Sequence, residues 1–273
     1  MLSVSLDSIK KEMFHKVGGK AYQIGLLRQK GVNVPPGFVF TNDALGQYLI
    51  QLKNNDAELH EKLQCSELNE SQCNHWFNNV PMEKTLIDAL KNNIQPDKYY
   101  AVRSSSSAED LKDSSFAGQY KTVLNVKGIQ NIEKAIKVCW ASFWNERSKS
   151  YKFNNNIDIK KPSHSVLIQE MIAGDISGVA FSANPLNGRR DEMVLDAAWG
   201  LCEGVVNGLV TSDNIIFDKC KKAIKQYDIR DKANQVVTVN EGVKTQPVSD
   251  KKRKEKCLWD EAVNDLANQL EKI

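Results

Sequence analysis

The apolar residues of this chain recur at two spacings, one near 3.6 and one of 2, and the switches between them divide it into helices and strands. After a weakly alternating start over residues 1–14, Ala21, Ile24 and Leu27 fall on one helical face that Gly31 closes. A proline-stiffened turn at Pro35 and Pro36 leads into Gly37-Phe38-Val39-Phe40-Thr41, which reads as a strand. Residues 43–93 are polar, with helical spacing at Leu45, Tyr48, Leu49 and Leu52 and again at Leu86, Ile87 and Leu90. They read as a helical segment packed on one face, although the Asn- and Gln-rich part, 54–79, carries no pattern of its own.

Further on, Tyr99-Tyr100-Ala101-Val102 predicts a strand, and the alternation of Tyr120, Thr122, Leu124 and Val126 predicts a second. Ile132, Ala135, Ile136, Cys139, Trp140, Phe143 and Trp144 form a strong amphipathic pattern, with both tryptophans expected in the core. The continuous apolar run at 165–171 reads as a buried strand. Strands are also predicted at 177–185, ending in the Asn184-Pro185 turn, at 193–198, and as a pair at 215–218 and 223–227. A last helix is expected to bury Trp259, Val263, Leu266, Leu270 and Ile273 on one face. The mixture predicts an α/β (α+β) protein.

Composition narrows the partners. A chain of 273 residues accommodates one or two domains, and 41% hydrophobic with 26% charged residues is ordinary for a globular protein. A net charge of +3 is too small to argue for nucleic acid, and the run Lys251-Lys252-Arg253-Lys254 lacks interleaved aromatics. It reads as a solvated loop before a helix. The six cysteines form no CxxC pair and follow no signal peptide, which predicts free thiols, no zinc site and a cytoplasmic setting. No apolar run approaches the length of a membrane span. His15, His60, His75 and His164 are scattered and are expected at the surface or in caps.

Two stretches carry candidate chemistry. Arg103 ends a strand and is followed by Ser104 to Ser107, with a second small-residue cluster at 114–118. A guanidinium fork, hydroxyls and unencumbered backbone N–H groups are the parts that hold a polyphosphate. Gly18-Gly19-Lys20 opens a helix, where backbone N–H groups and an ammonium would suit a phosphate. On residue type alone, a Ser-rich turn in a solvated hairpin and a glycine turn with a solvent lysine are the default readings.

The stretch 101–122, AVRSSSSAEDLKDSSFAGQYKT, resembles the nucleotide-binding signature of the ATP-binding domain shared by phosphoenolpyruvate synthase, pyruvate phosphate dikinase and rifampin phosphotransferase. That signature is approximately AVRSSATxEDLxxxSFAGQxxT. The resemblance extends to GGKAYQIGLL at 18–27, to VPPGF at 34–38 with Thr41, to SGVAFSANP at 177–185 and to GLCE at 200–203. The family's patterns there are GGKGANLxxL, PVPPGFxxT, SGVxFTANP and GLGE. It covers residues 17 to about 218 well and the remainder more loosely.

The resemblance implies an ATP-grasp fold, two lobes at 1–165 and 166–273 closing on ATP in the cleft between them. It implies that Lys20 and Arg103 contact phosphates as catalytic groups, and that Gly118 and Thr122 line a phosphate-covering loop. Gln169, Glu170, Met171 and Ile172 would frame adenine, and Glu203 would lie near the ribose. ATP would act with Mg²⁺, held by a PQDIEW-like segment that is not among the 273 residues. The phosphoryl group would pass, with release of AMP, to a histidine on a separate swivelling domain and onward to pyruvate or another acceptor. None of the four histidines here has that domain's Thr-Ser-His context. The chain is therefore expected to be the ATP-binding part of a longer phosphotransferase, not active alone. An antibiotic (rifampin-type) phosphotransferase is the alternative, as is a degenerate regulatory module. Cys202 argues for the latter: it replaces the glycine of GLGE and would strain the loop if that position needs a positive φ.

Overall fold

In the computed structural model, which describes residues 1–106, 120–145 and 164–273, the strand expected at 165–171 lies at the centre of a five-stranded sheet. The strands are β1 (Ser3–Ser5), β2 (Gly37–Phe40), β3 (Tyr99–Ser106), β4 (Thr122–Lys127) and β5 (His164–Glu170). They run in the order β1-β2-β5-β3-β4, and every neighbouring pair is antiparallel. The apolar run of β5 is continuous because both of its faces are covered. Val166 and Ile168 join Phe38, Phe40, Tyr100 and Val102 on one face, while Leu167 joins Val39 and Val4 on the other.

Among the described residues, the α-helices of this part are α1 (Phe14–Val17), α2 (Gly19–Gln29), α3 (Asn42–Asn55), α4 (Ala57–Gln64), α5 (Glu70–Asn79), α6 (Lys84–Lys91) and α7 (Ile129–Ala141). The larger core lies on the first face, where Trp140 of α7 stacks on Tyr48 of α3 and on Phe40, with centroids 5.3 and 6.3 Å apart. Trp140 and Trp144 are both fully buried, as their spacing predicted. The Asn/Gln-rich stretch, patternless by hydrophobicity, folds as α4 and α5. Asn69 Oδ1 accepts the Gln72 N–H at 2.9 Å while Gln72 Oε1 accepts the Asn69 N–H at 2.9 Å, a reciprocal cap that starts α5. His164, expected at the surface, is instead completely buried, with Nε2 3.0 Å from the Cys139 carbonyl. It sits at the start of the central strand, on the face that α7 covers.

The chain divides into two compact units, Met1–Met171 and Ile172–Ile273, so β5 belongs to the sheet of the first. The second unit holds β6 (Ile176–Phe181), β7 (Glu192–Trp199), β8 (Asp213–Asp218) and β9 (Ala223–Asp228) as an antiparallel meander in that order. A separate hairpin, β10 (Asn234–Thr238) and β11 (Val243–Pro247), has no counterpart in the hydrophobic pattern. Two helices complete it, α8 (Cys202–Val206) and α9 (Asp260–Glu271). Val263 and Ala267 of α9 pack on Met193, Leu195, Ile215 and Phe217, with Leu270 partly buried beside them. Trp259, Leu266 and Ile273 are exposed, contrary to expectation. They fall seven residues apart, to one side of the stripe that actually packs.

An ion pair inside the second unit is sealed from solvent. Lys232 Nζ lies 2.5 Å from Asp213 Oδ1, and both side chains are wholly buried. Asp213 also accepts the N–H groups of Arg230 and Cys257 at 2.9 and 3.0 Å, and Lys232 donates to the Arg230 carbonyl at 2.8 Å. The start of β8, the approach to β10 and the approach to α9 thus meet on two charges. The basic run is engaged within the same unit. Lys252 lies 4.1 Å from the Trp199 ring centroid, Lys256 4.7 Å from that of Tyr227, and Arg253 pairs with Asp231. All six cysteines are free thiols. Among the described residues, no helix is long and apolar enough to cross a membrane.

Removing one partner of a buried pair strands the other charge, so Lys232→Ala should lose about 3–5 kcal/mol. Urea unfolding checks this, and a loss below 1 kcal/mol, on the order of an exposed pair, would contradict the sealed geometry. A second expectation concerns acid. Lys225 Nζ at 2.5 Å, with the Asn184 and Asn187 amides and Arg189, holds the Glu192 carboxyl well below its ordinary 4.5, at about 2. A depressed folded value contributes stability above the unfolded pKa, and that stability is lost as pH falls through the folded value. Stability should therefore decline between about pH 4.5 and 2, and Glu192→Gln should flatten that part of the stability–pH curve.

Candidate functional site

The two candidate stretches meet at one buried knot. Gly18 takes φ +77°, which places the turn before α2 directly on β3. A Cβ there would lie 2.4 Å from the Ser105 carbonyl oxygen, so only glycine fits. The Ser105 hydroxyl accepts the Ala21 N–H at 3.0 Å and donates to the Val17 carbonyl at 2.8 Å. The Ser165 hydroxyl of β5 sits against the same Val17 carbonyl and 2.7 Å from the Ser105 carbonyl. Lys20 Nζ donates to the Ser104 carbonyl at 2.8 Å, which lays the ammonium beside β3 one residue past Arg103.

Strand alternation then fixes what shares this face. Ser105 is opposite Ser165, Arg103 is opposite both Leu167 and Thr122, and Ala101 is opposite Gln169. Arg103 is half-buried and Thr122 exposed. From Gln169 to Ser165 is four residues, about 13 Å along the strand. A polar track therefore runs from Gln169, past Arg103 and Thr122, to the Lys20 end of α2.

The far end of the track is built by the Pro-Pro-Gly turn. The Pro35 carbonyl accepts the Gln169 side-chain amide at 3.0 Å, and the Pro36 carbonyl accepts the Glu170 N–H at 2.9 Å. Gly37 lies opposite Gln169, and a Cβ on it would lie 2.6 Å from the Ile168 carbonyl oxygen. Three consecutive residues thus hold 169–170 in place. The Met171 N–H goes to the Tyr99 carbonyl at 2.9 Å, and the Glu170 carboxylate pairs with Lys98 at 2.7 Å. That pair lines a pocket of about 260 Å³ with Tyr100, Phe38, Asn92 and Asn93. Tyr100 and Phe38 mark it as lying on the opposite face of the sheet from Arg103 and Gln169.

Ile172 and Glu203 belong to the second unit. Ile172 is exposed, at 60% of its surface. Glu203, on α8, has a buried Oε2 without a hydrogen-bond partner, and burial pushes its carboxyl above the ordinary range. Cys202 opens α8 and is not among the residues with positive φ, so the expected strain is absent; its thiol donates to the Gly178 carbonyl at 3.2 Å. The residue that does need a positive φ is Gly200, at +81°, where a Cβ would lie 2.2 Å from the Val236 carbonyl oxygen.

Gly118, Ser107 and the cluster at 114–118 lie outside the described residues. Among the described residues no group of three or more His, Cys, Asp or Glu is placed to hold a metal ion. Ser165 and Pro36 are the participants that sequence reasoning missed. Ser165 at the head of an apolar strand and the double proline before Gly37 were the available signals.

The sequence profile of the pyruvate phosphate dikinase AMP/ATP-binding domain matches residues 14–273. A phosphoenolpyruvate synthase of Aeropyrum pernix is 34% identical over 253 residues, which cover 84% of this chain and 30% of that protein. An uncharacterized phosphotransferase of Bacillus subtilis is 33% identical over 270 residues, covering 96% of this chain and 30% of that protein. The phosphoenolpyruvate synthase of Pyrococcus furiosus is 30% identical over 279 residues, covering 85% and 34% respectively. The chain thus spans about a third of the length of these relatives.

The knot has a direct test. Gly18→Ala combines a strained φ with overlap on the β3 backbone and should cost more than about 1 kcal/mol, whereas Ser105→Ala should cost about 1–3 kcal/mol through its lost buried bonds. Equilibrium unfolding of the two variants checks both, and wild-type stability in Gly18→Ala would show that the turn is not docked as described.

Proposed function

The chain belongs to the pyruvate phosphate dikinase AMP/ATP-binding domain family, and from that premise we propose that it binds ATP along the polar track of its first unit. The observation that carries the reading is the alignment of Gln169, Arg103 and Lys20 on a single sheet face, in an order that suits base, then phosphates. Both units are read as ATP-grasp lobes.

Each residue then has a physical task. The Arg103 guanidinium presents a planar fork of donors to phosphate oxygens, and its half-buried position strengthens the attraction over that in bulk water. Lys20 adds a point charge at the start of α2, where the first backbone N–H groups of the helix also favour an anion. Thr122, opposite Arg103, and Gly118 line the loop over the phosphates. Residues 169–172 frame adenine with their backbone, held in register by the Pro-Pro-Gly turn. The partnerless Glu203 oxygen calls for a donor, which a ribose hydroxyl supplies. Mg²⁺ arrives with the nucleotide and neutralises phosphate charge.

In the longer protein, the domain passes a phosphoryl group from ATP to a histidine of a swivelling domain, leaving AMP, with onward transfer to an acceptor such as pyruvate. Lys20 and Arg103 offset charge that builds on the transferred group. The setting is cytoplasmic. The relatives named as phosphoenolpyruvate synthases favour this reading over an antibiotic phosphotransferase. Cys202, in an unstrained helical position, lends no support to a degenerate module.

Thermal denaturation with Mg·ATP tests the reading. A ligand at ~100 times its Kd adds about 2.7 kcal/mol, so an upward shift in Tm is expected. Arg103→Lys should keep the ligand-free Tm and lose most of the shift, because an ammonium cannot reproduce the fork. No shift of the wild-type chain at millimolar Mg·ATP would overturn it.

A further inference from the structure

The ladder between β2 and β5 ends on a bond that cannot form. Phe38 faces Ile168, and Gly37 faces Gln169, so the next opposed pair is Pro36 and Glu170. In an antiparallel ladder such a pair exchanges two bonds, one in each direction. The first is present, from the Glu170 N–H to the Pro36 carbonyl at 2.9 Å. The second would run from residue 36 back to the Glu170 carbonyl, and proline has no N–H to give. The other neighbour does not compensate. The Met171 N–H bonds to the Tyr99 carbonyl, so on the β3 side the bonded positions are 171 and 169, and Glu170 faces β2 alone.

A main-chain acceptor is thereby held at a sheet end with its ladder donor removed, open to a donor that a ligand brings. Its position is fixed from three sides: by its own N–H on Pro36, by the Lys98–Glu170 pair, and by the adjacent Gln169 amide on Pro35. We infer that Pro36 is a specificity-determining residue: by withholding an N–H it reserves the Glu170 carbonyl for the exocyclic amino group of a 6-aminopurine nucleotide. The inference rests on the proposed nucleotide site and adds to it the reason that a 6-amino base is accepted and a 6-oxo base refused. A 6-oxo group would set one acceptor against another and leave both unpaired.

The test compares Mg·ATP with Mg·ITP, which differ at the 6-position, by titration calorimetry on the 273-residue chain and on Pro36→Ala. The wild-type chain should bind ATP at least about ten-fold more tightly than ITP, the factor that one unpaired buried acceptor produces. In Pro36→Ala the restored N–H engages the carbonyl, so the ATP/ITP ratio should fall to within about three-fold, chiefly by weaker ATP binding. Slow amide hydrogen exchange at residue 36 of the variant should report the new ladder bond. Pro36→Val, which suits an extended position, repeats the arm should the alanine variant fold poorly. Equal binding of both nucleotides by the wild type would overturn the inference while leaving the nucleotide site standing. A variant that folds and keeps the wild-type ratio would overturn it too. Binding of neither nucleotide would remove the site itself, and the inference with it.

Discussion

The Val17 carbonyl, with the two serine hydroxyls that meet on it, is the contact from which the candidate site follows. It joins residues as far as 148 positions apart, and it lies where α1, α2, β3 and β5 converge. Each partner removes an alternative for the others. Gly18 supplies the only backbone that lets the turn reach β3, Ser105 caps the helix start by accepting the Ala21 N–H, and Ser165 ties the central strand to both. Because these groups are buried, each lost bond leaves an unsatisfied partner, and the knot tolerates few local substitutes. Lys20 and Arg103 owe their proximity to it.

The second unit solves a comparable problem with charge. Its meander is small, and the connections that lead into β8, β10 and α9 need a fixed point other than packing. Asp213 provides one, accepting from two backbone N–H groups and one ammonium. A carboxylate with that many donors is expensive to bury only when one is missing. The same logic, inverted, sets off Glu203. Its buried oxygen lacks a hydrogen-bond donor, and burial pushes its carboxyl above the ordinary range.

What was legible in the sequence was whatever depends on near neighbours. The strands at β2, β3 and β5, the amphipathic α7 with its core tryptophans, and the pairing of Arg103 with serines all follow from periodicity and residue type. The register was not legible, because it is fixed by residues far apart. That is why the parts Ser165 and Pro36 play in the site were missed, why His164 was expected at the surface, and why the hairpin β10–β11 escaped. The stripe on α9 was misread for another reason. Residues 259, 266 and 273 satisfy a heptad as well as 263, 267 and 270 do, and only the sheet beneath decides which stripe packs. Of the site itself, Lys20, Arg103, Thr122 and 169–171 share the first unit, Ile172 and Glu203 belong to the second, and Gly118 lies outside the described residues.

The strand order β1-β2-β5-β3-β4 also governs how the first unit is made. As the chain leaves the ribosome, β1 can pair with β2, and later β3 with β4, each a local ribbon of two strands. Neither ribbon is stable on its own. Both expose the edge that β5 will occupy, and β5 begins only at His164. Until then the helices have only half-built sheets to pack on, and two unpaired edges face other nascent chains. Arrival of one seven-residue strand zips both ribbons together and closes both cores at once. The protein's slowest and most aggregation-exposed moment is thus set by topology, and it ends when Ser165 reaches Val17.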